Sequence, residues 1–212
     1  TCKLCLDKYE TYKTFSKYGI SFAESILPSD WNYTKDWEGI IVKPREGRGS
    51  RNIYKNPRDL KSFGDDYIVQ PELKGPEITT AFYVTKDNKL HGHITFKRSL
   101  HNGMTSHAKV IFDYQNEMNR ILESIVDSIE IRGPCNIQSI VTENGIIPFE
   151  VNCRYSGTNS IRSQFGFEDV KYGLQEYLLN EELDIPQIVA GKADRMYLDV
   201  IYKEGDVIPY IY

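Results

Sequence analysis

Two short segments of the chain carry residue types and spacings that could do chemistry. In Lys43-Pro44-Arg45-Glu46-Gly47-Arg48-Gly49-Ser50 a lysine at a strand end offers a point charge for a polyphosphate. The glycines let backbone N–H groups approach that ligand closely, and Ser50 adds a hydroxyl. The lysine precedes the glycines, so this is not a Walker A loop. Taken alone, the segment reads equally as a phosphate flap or as a solvated basic hairpin. In Phe149-Glu150-Val151-Asn152-Cys153-Arg154, strand alternation puts Glu150, Asn152 and Arg154 on one face and Phe149, Val151 and Cys153 on the other. A carboxylate and an amide oxygen suit a hard divalent cation, and a guanidinium grips phosphate in a fork. The competing reading is a half-buried strand with a polar outer face.

Gln138 joins that face only if the hairpin register allows it. A two-residue Asn144-Gly145 turn would pair Gln138 with Val151, on the apolar side. A three-residue Glu143-Asn144-Gly145 turn, with Gly145 left-handed, pairs it with Glu150 and gathers the oxygen ligands; this second register is the one expected.

The elements that must position these residues are legible in part. Asp7 and Glu10 have capping-box spacing ahead of Tyr9, Tyr12 and Phe15 at helical intervals, and Gly19 is a natural stop. Strands are expected at 39–44 and 51–55, then a short helix from Asn56-Pro57 through Phe63. Further strands are expected at 67–70, 77–84 and 90–96. Met118, Ile121, Leu122, Ile125, Val126 and Ile129 mark an amphipathic helix within 113–131 that covers a sheet. Strands at 136–142 and 146–152, a helix at 168–179 and a strand at 197–202 complete the chain. Mixed hairpins and helices predict an α+β fold in two lobes, residues 1–70 and 71–212, hinged near Gln70–Leu73.

Composition narrows the function classes. The 212 residues carry 26 Lys and Arg against 30 Asp and Glu, a net charge of −4. Such a chain lacks the basic footprint of a broad nucleic-acid binder, so no nucleic-acid partner is expected. No apolar run approaches the ~20 residues that cross a bilayer, and no leader opens the chain, so no membrane partner and a cytoplasmic location are expected. Cys2 and Cys5 have the spacing of half a zinc knuckle, but no second C-x-x-C or close His pair completes it. With Cys135 and Cys153 they read as free thiols in a reducing compartment. The sequon at Asn32-Tyr33-Thr34 reads as chance.

Together, and in this order, the motifs resemble the ATP-grasp superfamily, closest to the large-subunit domains of carbamoyl-phosphate synthase. The resemblance implies an ATP-grasp fold with nucleotide between two antiparallel sheets. It implies that Lys8, Lys43, Gly47, Gly49 and Ser50 contact the phosphates, that Gln70, Glu72 and Leu73 form the hinge beside adenine, and that Glu77 holds the ribose. It puts Gln138, Glu150 and Asn152 on Mg²⁺ (with Mn²⁺ as a substitute) and makes Arg154 the catalytic arginine. Arg98, His107 and Arg162 are possible substrate contacts, with a surface role as the other reading of His107. Cys153 stands where the family often has proline, and the preceding α/β domain is absent. An upstream domain trimmed, supplied by another chain or lost is therefore expected.

The activity implied is an ATP- and Mg-dependent ligase of carboxylate–amine type that passes through an acyl phosphate. Its partners would be a small-molecule carboxylate and a nucleophile. The rivals are an Mg-ATP-binding subunit that needs a partner chain, and a kinase on the same fold.

Overall fold

The computed structural model describes residues 2–32, 35–47, 51–196, 201 and 203. Gly49, Ser50, most of the sequon and nearly all of the strand expected at 197–202 lie outside the described residues. Two antiparallel sheets face each other. The small one has order β2-β1-β3, built from β1 (Ile40–Pro44), β2 (Tyr54–Lys55) and β3 (Tyr67–Pro71). The large one has order β8-β7-β4-β5-β6-β9 and uses β4 (Glu77–Val84), β5 (Leu90–His101), β6 (Met104–Val110), β7 (Gly133–Thr142), β8 (Gly145–Asn152) and β9 (Lys192–Asp194).

Helix α1 (Cys2–Leu6), which the residue pattern did not announce, precedes α2 (Lys8–Lys17). The cap of α2 forms as expected: the Asp7 carboxylate accepts from the amides of Tyr9 and Glu10. Helix α3 (Gln115–Ser128) buries Met118, Leu122, Ile125 and Val126, one stripe at i, i+4, i+7 and i+8. That stripe packs on Ile78, Phe82, Ile137 and Val151 of the large sheet, and Cys5 and Phe15 from α1 and α2 enter the same core. The opposite sheet face splits in two. Toward β6 it is apolar, with Ala81, Ile94, Phe96 and Ala108 packed under Ile161, Phe167 and Tyr172. Ile161 belongs to α4 (Asn159–Ser163) and Tyr172 to α5 (Asp169–Leu174). Toward β8 the same face is polar and looks at the small sheet.

The connection between the sheets is tight. The Ala23 amide donates to the Pro148 carbonyl of β8 at 2.7 Å, and three residues later Ile26 exchanges bonds with Val69 of β3. At the other crossing Gly75 has φ +142°, and a Cβ there would stand 1.8 Å from the Val141 carbonyl. Only glycine lets the chain pass that close to β7 before Glu77 opens β4.

Three expectations need correction. Asn56 does not open a helix. It takes φ +45° and its Oδ1 accepts the Ile40 amide at 2.8 Å, so it closes the β1–β2 hairpin. The helical structure between it and Phe63 is one 3₁₀ turn, Leu60–Ser62, capped by Asp59. The strand expected at 51–55 is confined to Tyr54–Lys55. Strand β5 runs on to His101 and turns through Asn102 and Gly103, both with positive φ, into β6. The Asn-Gly dipeptide is the hairpin signal that could have announced β6.

Candidate active site in the cleft between the sheets

The register of the β7–β8 hairpin sets the polar floor of the cleft. Gln138 pairs with Glu150, the expected register, but the turn is not the expected one. Thr142 pairs with Gly145 around a two-residue Glu143-Asn144 loop, and the ladder then shifts by one between Ser139↔Pro148 and Gln138↔Glu150. Phe149 is the extra residue. Pro148 has no N–H to give a ladder, and β8 is an edge strand, where proline and bulges are tolerated. The bulge also changes which way Phe149 faces. Strict alternation put it on the apolar side, yet it lines the cleft beside Glu150.

The cleft is a cavity of about 330 Å³. From the N-terminal part and the small sheet it receives Lys8, Lys43, Gly47, Gln70, Glu72 and Leu73, and from the large sheet Glu77, Gln138 and Glu150. Ile41, Ile140, Leu100 and Phe149 supply apolar walls. Thus nine of the residues singled out by type and spacing meet in one cavity, although they come from positions 8 to 150.

Lys43 is the most constrained of them. It is 7% exposed, and its Nζ lies 3.5 Å from the Phe149 carbonyl and 4.9 Å from the centre of that ring. Burial pushes its ammonium down to about 7 despite Glu150 and Glu77, and Lys8 adds to the lowering. A buried cation without a close carboxylate partner is poised for an anionic ligand. Lys8 begins α2, so its charge and the helix N-terminus face the cleft together. Its backbone amide and ammonium both meet the Arg45 carbonyl, at 3.0 and 3.3 Å. Arg45 in turn pairs with Asp7 at 2.5 Å. Burial raises the Asp7 carboxyl, but Arg45 and the two helix amides outweigh it and hold it below the usual range. The flap base and the start of α2 are therefore one unit.

At the hinge, the Glu72 amide donates to the Gly39 carbonyl at 2.8 Å and its side chain pairs with Lys55. Gln70 is buried, with its amide nitrogen 2.8 Å from Ser25 Oγ. Beside the floor, next to the lining residue Glu150 but outside the cavity lining itself, Asn152 Nδ2 donates to Glu150 Oε1 at 2.8 Å, which leaves the amide oxygen of Asn152 and the other oxygen of Glu150 available. Arg98 reaches the same floor from β5. One of its terminal nitrogens donates to Gln138 Oε1 at 2.8 Å and to Glu77 Oε1 at 3.2 Å, and its buried Nε has no partner.

Three predicted contacts sit elsewhere. Arg154 is exposed beyond the end of β8 and donates to the Tyr155 carbonyl, outside the residues that line the cavity. His107 pairs with Ser99 on β5 and with Asp194 on β9, and alternation puts it on the sheet face opposite Arg98 and Gln138. Its Nδ1 lies 2.6 Å from Asp194, so it is a surface ion-pair residue. Arg162 is wholly buried, paired with Asp169 and bonded to Ser156 and Thr158. Every direction of its fork is taken from within the protein, which corrects the expectation of a substrate grip.

The comparisons fit this geometry. Residues 5–158 match the ATP-grasp domain family. An uncharacterized protein of Methanocaldococcus jannaschii is 27% identical over 164 residues, 72% of this chain and 41% of that one. Among solved structures, carboxyaminoimidazole ribonucleotide synthase from Aspergillus clavatus complexed with ATP superposes with a TM-score of 0.69 at 14% identity, over 86% of this chain and 53% of that one. L-amino acid ligase from Bacillus licheniformis superposes with a TM-score of 0.64 at 14% identity, over 82% of this chain and 48% of that one. The chain thus spans about half the length of the proteins it matches. The likeness holds for ATP-grasp ligases broadly rather than for carbamoyl-phosphate synthase in particular. Among the described residues no helix is long and apolar enough to cross a membrane. The match over residues 5–158, with two facing antiparallel sheets around a cationic cleft, makes the chain a member of the ATP-grasp domain family.

Proposed function

We propose that the cleft binds Mg-ATP and that the protein activates a carboxylate as an acyl phosphate for attack by an amine or similar nucleophile. The observation that carries this reading is the single cavity in which buried Lys43 and helix-borne Lys8 oppose Glu77, Gln138 and Glu150. Lys8, Lys43 and the amides around Gly47 would neutralise the phosphates, and the apolar walls would take the base. The Glu72 amide is already bonded to Gly39, so pairing with the base edge would fall to Leu73. Glu77 would hold the ribose.

The floor fits a hard cation. Glu150 and Asn152 each keep one oxygen free, and Mg²⁺ takes one or two protein carboxylates plus substrate phosphates. Gln138 would join only by sharing an oxygen that Arg98 already engages. When bound, Mg²⁺ supplies charge neutralisation between phosphate oxygens. Phosphoryl transfer asks the protein mainly for positioning and preorganised charge. Lys43 meets that demand in the cleft and Arg98 stands behind its floor, bonded to Gln138 and Glu77, whereas Arg154 would meet it only after its side chain swings in.

The chain spans half of its matched structures, which favours a second reading. Acceptor-side residues would come from a further domain or a partner chain, and this chain alone would bind Mg-ATP without turnover. The motif order keeps a carbamoyl-phosphate synthase-like reaction, or a kinase that stops at a phosphorylated product, within the same class. Melting with Mg²⁺ and a non-hydrolysable ATP analogue, followed by ADP release across panels of carboxylates and amines, tests the proposal. A ligand at ~100 times its dissociation constant adds about 2.7 kcal/mol, several degrees in Tm. Absence of any metal-dependent shift, together with no ADP release, would refute nucleotide binding by this chain. A shift without turnover selects the second reading.

A further inference from the structure

The connector between α2 and the small sheet fixes one side chain of the cleft. Gln70 on β3 pairs with Ile41 on β1, and Ile41 pairs in turn with Lys55 on β2, so the three form a row across the small sheet. Val69, its neighbour on β3, packs with Val42 and Leu60 on the face turned away from the cavity, which leaves the Gln70 side chain on the cleft face. Gln70 is 3% exposed and lines the cavity. Its Nε2 donates to Ser25 Oγ at 2.8 Å and to the Ala23 carbonyl at 3.4 Å. Ser25 has a single hydroxyl proton, which goes to the same Ala23 carbonyl at 3.0 Å. Toward Gln70, Ser25 Oγ can therefore only accept. Turning the amide over would set its oxygen against two acceptors, so the network fixes which way it points. The frame is built into the fold, because Ser25 is buried and the Ala23 amide is anchored on Pro148 of β8 at 2.7 Å. Among the described residues Gln70 Oε1 has no partner. It is not sealed in protein as Arg98 Nε is, and so it opens on the cavity.

We propose that Ser25, acting through Gln70, sets the nucleobase selectivity of the cleft: a base with an exocyclic amino group at the edge facing Gln70 is admitted, and one with a carbonyl there is rejected. This rests on the nucleotide reading of the cavity given above. Ile41, beside Gln70, is an apolar wall, whereas Lys43 stands two residues along β1, about 7 Å away on the same face. The base thus falls at the Gln70 end and the phosphates at the Lys43 end. An amino group at the base edge donates to Oε1. A carbonyl oxygen in its place would oppose two acceptors and leave both without a proton. Lys55, the cation of the same row, lies two strand spacings from Gln70, about 10 Å, and is held by Glu72 at 2.7 Å, so it offers no replacement donor. Ser25 touches no ligand in this scheme. It is a positioning residue, in a connector outside the motifs that carry the chemistry.

The test is calorimetric titration of the full chain, in Mg²⁺, with ADP and with IDP, which differ only along that edge of the base. The wild type should bind ADP at least about tenfold more tightly, since one hydrogen bond replaces an opposed pair of acceptors. Ser25→Ala frees the amide to turn, so IDP should gain affinity and the ADP-to-IDP preference should fall severalfold. Ser25→Thr keeps the hydroxyl and should restore the wild-type preference, a rescue that a purely structural role for Ser25 does not predict. If Ser25→Ala does not fold, Gln70→Met should weaken ADP and leave IDP nearly unchanged. Equal affinity for ADP and IDP in the wild type, or a wild-type preference retained in Ser25→Ala or Gln70→Met, would overturn the selectivity and leave nucleotide binding standing. Binding of neither nucleotide would overturn the nucleotide reading itself and this inference with it.

Discussion

Arg98 and Arg162 occupy two regions that look alike in sequence and differ in what they can do. Each is a guanidinium in a polar stretch near the nucleotide motifs. Arg162, within α4, gives both edges of its fork to Asp169, Ser156 and Thr158 and is 0% exposed at its side chain. Arg98, on the cleft floor, shares one terminal nitrogen between Gln138 and Glu77 and leaves Nε unpaired. A saturated buried ion pair specifies packing, whereas an undersatisfied cation beside a cavity is available for a ligand. Charge and sequence position therefore do not separate the two; the remaining donors do.

The comparison can be broken first at Arg162. Arg162→Leu strands the Asp169 carboxylate in the core and should cost about 3–5 kcal/mol in urea unfolding. An intact midpoint would show that the pair is not holding α4 and α5. At the cleft the largest effect should be on activity rather than stability. Glu150→Gln keeps the shape and the bond from Asn152 but removes the charge, and should cut Mg-dependent ADP formation about 100-fold or more at nearly unchanged Tm. Turnover near the wild-type rate would remove Glu150 from the metal site.

Lys43 sharpens the contrast through pH. Its folded value of about 7 lies below the ordinary 10.5, so between those values the unfolded chain binds the extra proton. Its unfavourable contribution is full below pH 7 and is relieved as pH rises toward 10.5, with a slope of at most about 1.4 kcal/mol per unit. Lys43→Met should abolish that slope relative to wild type, stabilise the ligand-free protein at neutral pH and weaken binding of the ATP analogue. Parallel stability profiles of the two proteins from pH 7 to 10 would show that Lys43 is not held desolvated. The smallest effect belongs to His107. His107→Ala removes an exposed pair with Asp194 and should change stability by under about 1 kcal/mol and leave the affinity for the ATP analogue unchanged. A tenfold loss of that affinity would return His107 to the cleft.

Much of the fold was legible because it follows local periodicity. The Asp7 cap and the stripe on α3 depend on neighbours within one or two turns, which sequence displays directly. Where long-range pairing intervened, the reading failed. Asn56 has the residue type of an N-cap but is recruited by the Ile40 amide across the hairpin. Gln138 reached Glu150 by a bulge at Phe149 rather than by a longer turn, and no count of turn residues could reveal a shift made several residues into the ladder. Strand β6, by contrast, had its signal in Asn102-Gly103, and its absence from the expected elements was a failure of reading rather than of information.

The sequence by itself determined which chemistry the chain can offer: a lysine and glycines for phosphate, oxygen ligands two apart on a strand, and their order along an ATP-grasp domain. Residue type and short spacing are local properties, and a pleated strand converts them into a face with no help from the rest of the chain. The tertiary structure alone decided which of those groups meet. It desolvated Lys43, brought Arg98 to the floor and buried Arg162 away from it. Those outcomes depend on contacts between residues tens of positions apart, and burial, charge pairing and convergence of side chains exist only once the sheets have closed on each other.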